Sequence, residues 1–103
     1  MKYLKITQHN QAFFDMLKEN PRKMAAPLRA HYEMLKKMKE AGKFLDAWFV
    51  PGDGRCFFLF DFDSESEIDN SLLLDPMNGT FDSMIYPAVP LFEHIENALK
   101  TME

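Results

Sequence analysis

Residues 44–62 read FLDAWFVPGDGRCFFLFDF, and this stretch decides the fold. Phe44 to Val50 and Arg55 to Phe62 are aromatic-rich, as strands are, and Pro51-Gly52-Asp53-Gly54 between them signals a hairpin turn. Successive strand residues point to opposite faces of a sheet. In the second strand Cys56, Phe58, Phe60 and Phe62 take one face, while Phe57 and Leu59 precede Asp61 on the other. In the first strand Phe44, Trp48 and Val50, with Asp46 among them, oppose Leu45, Ala47 and Phe49. An antiparallel sheet with one face in water alternates apolar with polar residues. This hairpin mostly does not, so both faces of its sheet require cover.

Upstream, Tyr3-Leu4-Lys5-Ile6-Thr7 predicts a first strand, with Leu4 and Ile6 alternating with polar residues. Asn10 suits the cap of a short helix carrying Phe13, Phe14, Met16 and Leu17, which Asn20-Pro21 stops. From Pro27 the spacing of Leu28, Tyr32, Leu35 and Met38 predicts the main helix, closed at Gly42. Downstream, Ser64-Glu65-Ser66-Glu67 reads as a capping box before a helix that buries Ile68, Leu72 and Leu73. A fourth strand lies within Phe81 to Val89, where Pro87 places it at an edge or a bulge. Pro90 opens a last helix with Leu91, Phe92, Ile95, Leu99 and Met102 on one stripe.

This order predicts an α+β chain, one ferredoxin-like domain over residues 1–103. It is a split βαβ arrangement with a four-stranded antiparallel sheet, an extra short N-terminal helix and a C-terminal helix. Helices on one side leave the other side bare, lined by rings drawn from Trp48, Phe49, Phe57, Phe58 and Phe60. So large an apolar patch exceeds what a monomer usually exposes, and a two-fold copy of the same sheet is the simplest cover. A homodimer is therefore expected.

At 103 residues there is room for one core, and apolar residues form 47% of the chain, which excludes disorder. A net charge of −4 argues against nucleic acid, which is held by clustered cations. Lysines do gather from Lys36 to Lys43, but Glu33 and Glu40 punctuate them, as on a solvated helix face. No apolar run approaches the roughly 20 residues that span a bilayer. The N-terminus lacks the pattern of a secretory signal, so a cytoplasmic location is expected. Cys56 stands alone, without a disulfide partner or a CxxC motif. His9 and His94 fall in no metal-ligand spacing, so no metal and no cofactor is expected.

Residues 31–77 resemble the dimeric α/β-barrel superfamily, and within it the muconolactone isomerase-like and YCII-related families. The resemblance rests on Met34-Leu35-Lys36-Lys37-Met38-Lys39-Glu40-Ala41-Gly42-Lys43 and the strand with Trp48. It continues through the Gly52/Gly54 turn, Phe60-Asp61-Phe62-Asp63-Ser64 and the helix to Asp75-Pro76. The segment from His9 to Ala26 and the tail from Tyr86 depart from that pattern. The resemblance implies paired ferredoxin-like units with a pocket between each sheet and its helices or at the subunit seam. It implies an activity among isomerases, cofactor-free monooxygenases and haem or chlorite enzymes. It also implies that His31 and Asp75 form a catalytic pair, as proposed for YCII-related proteins.

Read as residues, His31 borders the apolar stripe of its helix, and an imidazole there suits a general base or acid as well as a boundary histidine. Asp75 before Pro76 suits a turn opener equally. Trp48, Phe58 and Tyr86 with Arg55 offer aromatic faces and one charge for a small aromatic or lactone-like acid. The expected function is that of a small-molecule-binding dimer, a cofactor-independent isomerase or an oxygenase-like enzyme. The alternative is a non-catalytic dimerisation or protein-interaction module.

Overall fold

The computed structural model describes residues 1–103. Eight elements follow one another: β1 (Lys2–His9), α1 (Gln11–Glu19), α2 (Pro21–Glu40), β2 (Phe44–Val50), β3 (Arg55–Asp61), α3 (Glu65–Leu73), β4 (Phe81–Ala88) and α4 (Leu91–Met102). The four strands make one antiparallel sheet in the order β2-β3-β1-β4. The fold is α+β and ferredoxin-like, as expected. β4 is an edge strand, one of the two positions that Pro87 predicts.

Side-chain caps set the starts of α1, α2 and α3. The Asn10 carboxamide oxygen accepts from the Phe13 amide at 3.3 Å, and its nitrogen donates to the Gly79 carbonyl at 3.0 Å, tying α1 to the loop before β4. Asn20 ends α1 and also caps α2, accepting from the Arg22 amide at 3.1 Å. The main helix therefore begins at Pro21, and Pro27 lies inside it rather than at its start. A cap and an N-terminal proline are helix-starting signals strong enough to carry the chain through the one amide Pro27 lacks. Gly42, at φ 75°, takes the left-handed position that ends α2. The capping box closes one residue early. Ser64 Oγ accepts from the Glu67 amide, but the Glu67 carboxylate takes the amide of Asp63.

The core lies between one face of the sheet and the helices. Tyr3, Phe44, Phe58, Phe60 and Phe62 form it, with Leu35 and Met38 from α2 and Ile68 from α3 against them. Phe58, Phe60 and Phe62 stack in a row, with centroids 5.9 and 5.0 Å apart. Phe58 and Phe60 are therefore covered by helices and take no part in the bare face, a correction to the sequence reading.

Two features decide which side of each strand is inward, and the second corrects the grouping of Phe44 with Trp48 and Val50. In β1 the buried residues are Tyr3, Lys5 and Thr7, whereas Leu4 and Ile6 face the uncovered side, half-buried. In β2 a bulge at Leu45 changes the pleat, because Phe44 pairs with Phe60 but Asp46 pairs with Leu59. One extra residue in a strand turns everything beyond it over. Phe44 thus joins the core while Trp48 and Val50 point to the open side beside Phe57 and Arg55. Phe49 pairs with Cys56 on the helix side, yet is exposed, in a shallow pocket with His9, Phe13 and Phe14. Only 11 of 103 residues are buried and no large side chain fully so, which leaves an isolated chain with much apolar surface in water.

Candidate functional site

Lys5 is the unusual member of the core. Its strand neighbours Tyr3 and Thr7 fix it on the helix-covered face, and its ammonium lies over the rings of Phe58 (5.4 Å) and Phe81 (4.9 Å). A buried lysine needs a counter-charge. Asp75 provides it: Oδ2 is 3.7 Å from Lys5 Nζ, and both side chains are almost wholly shielded from solvent. Burial lowers the Lys5 pKa, against the raising pull of Asp75.

Asp75 reaches this position because it opens a turn. Its Oδ1 accepts from the Met77 amide at 2.9 Å, and its carbonyl accepts from the Asn78 amide. The same Oδ1 lies 2.9 Å from Nδ1 of His31, one helical turn beyond Pro27 on α2. Turn opener and site carboxylate are one role here. Burial pushes the Asp75 carboxyl up, but the His31 hydrogen bond, the Met77 amide and the charges of His31 and Lys5 outweigh it and hold it below the usual carboxylate range. An ionised Asp75 accepts from Nδ1–H, so the lone pair resides on Nε2. That is the arrangement of an oriented base: a carboxylate fixes the ring and stabilises the imidazolium that forms when Nε2 takes a proton.

His31 lines an open groove of about 480 Å³ with Ala25, Leu28, Arg29, Tyr32 and Leu35, all on α2. The His31 ring meets Phe58 edge to face at 6.2 Å. The Arg29 guanidinium lies 6.0 Å over the Tyr32 ring, giving the groove an aromatic wall and a positive charge.

The structure thus brings together His31, Asp75 and Phe58 and leaves the other three sequence candidates elsewhere. Trp48, Arg55 and Tyr86 lie on the open face of the sheet. Trp48 on β2 and Tyr86 on β4 occupy opposite edges, three strand spacings or about 14 Å apart. Arg55 is engaged by Asp53 at 2.9 Å, and the Tyr86 hydroxyl donates to the sulfur of Met84 at 3.3 Å. Within one chain these residues form no common pocket with His31.

Sequence reading missed Lys5 and Arg29. The available signal for Lys5 was a polar row, Lys5 and Thr7, in a strand whose Leu4 and Ile6 invited the opposite orientation. No group of three or more His, Cys, Asp or Glu side chains is placed to hold a metal ion. No helix is long and apolar enough to cross a membrane.

No protein-family model and no curated protein matches the chain. Among solved structures it is similar to 5-chloro-2-hydroxyhydroquinone dehydrochlorinase (TftG) from Burkholderia phenoliruptrix, solved in complex with 2,5-dihydroxybenzoquinone. The TM-score is 0.58 at 19% identity, over 86% of this chain and 94% of that one. The likeness is one of fold.

Proposed function

We propose that the protein is a homodimeric, cofactor-independent enzyme that transfers a proton on a small hydroxylated aromatic or lactone-like acid. The observation that carries this reading is the His31–Asp75 hydrogen bond at 2.9 Å, with Asp75 buried against Lys5 and His31 lining a groove beside Arg29 and Tyr32. His31 Nε2 accepts a proton from the bound acid, leaving the electron pair on the substrate, and returns it at another atom, so an isomerisation balances without a second reagent. Asp75 is the orienting carboxylate, held ionised by the His31 hydrogen bond and the Met77 amide with a smaller contribution from Lys5. Arg29 pairs with the substrate's acidic group, the role that sequence reading gave to Arg55. The dehydrochlorinase sharing the fold holds a small hydroxylated ring, which is in keeping with this ligand class.

The dimer reading draws on the open sheet face, where Trp48, Met84 and Tyr86 are each about half exposed beside Phe57 and Leu59. A two-fold axis along the strands sets each β2 over the partner's β4, which brings Trp48 toward the partner's Tyr86 and covers both. The same exposed face favours the rival reading, a non-catalytic dimerisation or protein-interaction module.

One assay separates the two. The protein is incubated with 2,5-dihydroxybenzoate and related acids and lactones in D2O, and carbon-bound proton exchange is followed by NMR alongside the melting temperature. Exchange by the natural protein that falls roughly 10²–10⁴-fold in His31→Ala supports the enzyme. Neither exchange nor thermal stabilisation with any compound at millimolar concentration leaves the interaction module.

A further inference from the structure

A second hollow, of about 330 Å³, opens at the end of the sheet that carries the β2–β3 turn. Register places Phe49, Cys56 and Thr7 in one row across the helix-covered face, and His9 follows two residues after Thr7. α1 packs on the β1 side of that row, where Phe13 stacks on His9 at 3.6 Å. Phe49 stands two strand spacings, or roughly 10 Å, from Thr7 and lines the hollow from the β2 side. Phe14 and Phe49 are 52% and 57% exposed, so their ring faces are free to receive a ligand.

The rings stand at angles to one another. Phe14 meets Phe13 at 82° and 5.4 Å, and His9 at 78° and 6.4 Å. Walls at right angles make a corner, which a compact rounded group fills and a flat ring touches on one side only. The lining carries one formal charge, the carboxylate of Asp53. Arg55 tempers that charge from 2.9 Å, but it belongs to the open face of the sheet and does not line the hollow. His9 adds no opposing charge. Its Nδ1 is shielded from solvent and lacks a partner, so an imidazolium would bury an unpaired N–H. Burial lowers the His9 pKa in the same sense. The faces of aromatic rings carry negative potential and attract cations held within about 6 Å of their centroids.

We propose that His9, Phe13, Phe14, Phe49 and Asp53 form a binding site for a small quaternary ammonium ion. The lining favours this cation over a primary ammonium. A primary ammonium brings three N–H donors that need acceptors, and four rings with one carboxylate do not supply them. A quaternary nitrogen presents only methyl groups, which rest against ring faces while Asp53 balances the charge from the rim. The hollow shares no lining residue with the His31 groove, so the two sites are separate.

The test compares choline with 3,3-dimethyl-1-butanol, a molecule of the same shape without the charge, by NMR titration at constant ionic strength. Choline is expected to shift the amides of Phe14, Phe49 and Gly54 and to bind roughly tenfold more tightly than the alcohol. Phe14→Leu and Phe49→Leu keep apolar bulk but remove a ring face. Each should weaken choline severalfold to tenfold and leave the alcohol unchanged, with melting temperatures showing that both variants fold. Asp53→Asn should weaken choline severalfold, and His31→Ala should bind it as the natural protein does. Equal binding of the two probes overturns the proposal, because the hollow is then merely apolar. Choline binding that survives both leucine variants, or that His31→Ala abolishes, overturns it by placing the ion elsewhere. No amide shift with choline at tens of millimolar removes the site. None of these outcomes depends on the proton transfer proposed for His31.

Discussion

The two faces of the sheet invert the usual arrangement. The covered face buries Lys5 and Thr7 among its phenylalanines, while the uncovered face carries Leu4, Ile6, Phe57, Leu59 and Trp48. A polar residue goes inward only when a partner inside compensates it, and for Lys5 that partner is Asp75. An apolar face stays outward only when something outside covers it. On the function proposed above, chemistry belongs to the helix side and association to the open side, and that division can be broken from either direction.

The largest effect is expected from Asp75→Ala. It strands a buried ammonium, a loss of about 3–5 kcal/mol when one partner of a buried ion pair is removed. Urea unfolding measures it, and a loss below about 1 kcal/mol would show that Lys5 finds water or another partner. Phe58→Ala and Trp48→Ala then compare the faces directly. Phe58 is 7% exposed and its removal should cost about 3–4 kcal/mol at any protein concentration. Trp48 is 55% exposed. Its removal should leave the diluted chain within about 0.5 kcal/mol of the original while weakening association by about 2 kcal/mol, or roughly 30-fold, in sedimentation equilibrium. Equal, concentration-independent losses at both positions would erase the distinction between the faces.

The smallest effect is a pH dependence on the covered side. The Asp75 carboxyl is held below its ordinary range, so between its folded and unfolded pKa values the unfolded chain binds more protons. Its contribution to stability is complete above the unfolded value near pH 4 and is lost as the pH falls through the folded one. Asp75→Asn should flatten that part of the acid unfolding curve. An unchanged curve would mean that Asp75 gains nothing from His31 and Met77.

Much of this was legible in the residues. Element order, the hairpin at Pro51 to Gly54, the edge position of the strand with Pro87 and the caps at Asn10 and Ser64 all follow from local chemistry, because turns, caps and periodicity act over a few residues. His31 and Asp75 were also singled out as a pair, through family resemblance. Arg29 was hidden among the solvated charges of its helix.

By itself, the sequence determined an α+β chain with too many rings for one core and an apolar stripe along its last helix. Only the tertiary structure decided which side of each strand faces inward. A bulge at Leu45 turned β2 over beyond Phe44, and a carboxylate 70 residues downstream drew Lys5 into the interior, so Leu4 and Ile6 faced out. The pleat has a period of two, and a single long-range pairing is enough to choose between its two phases.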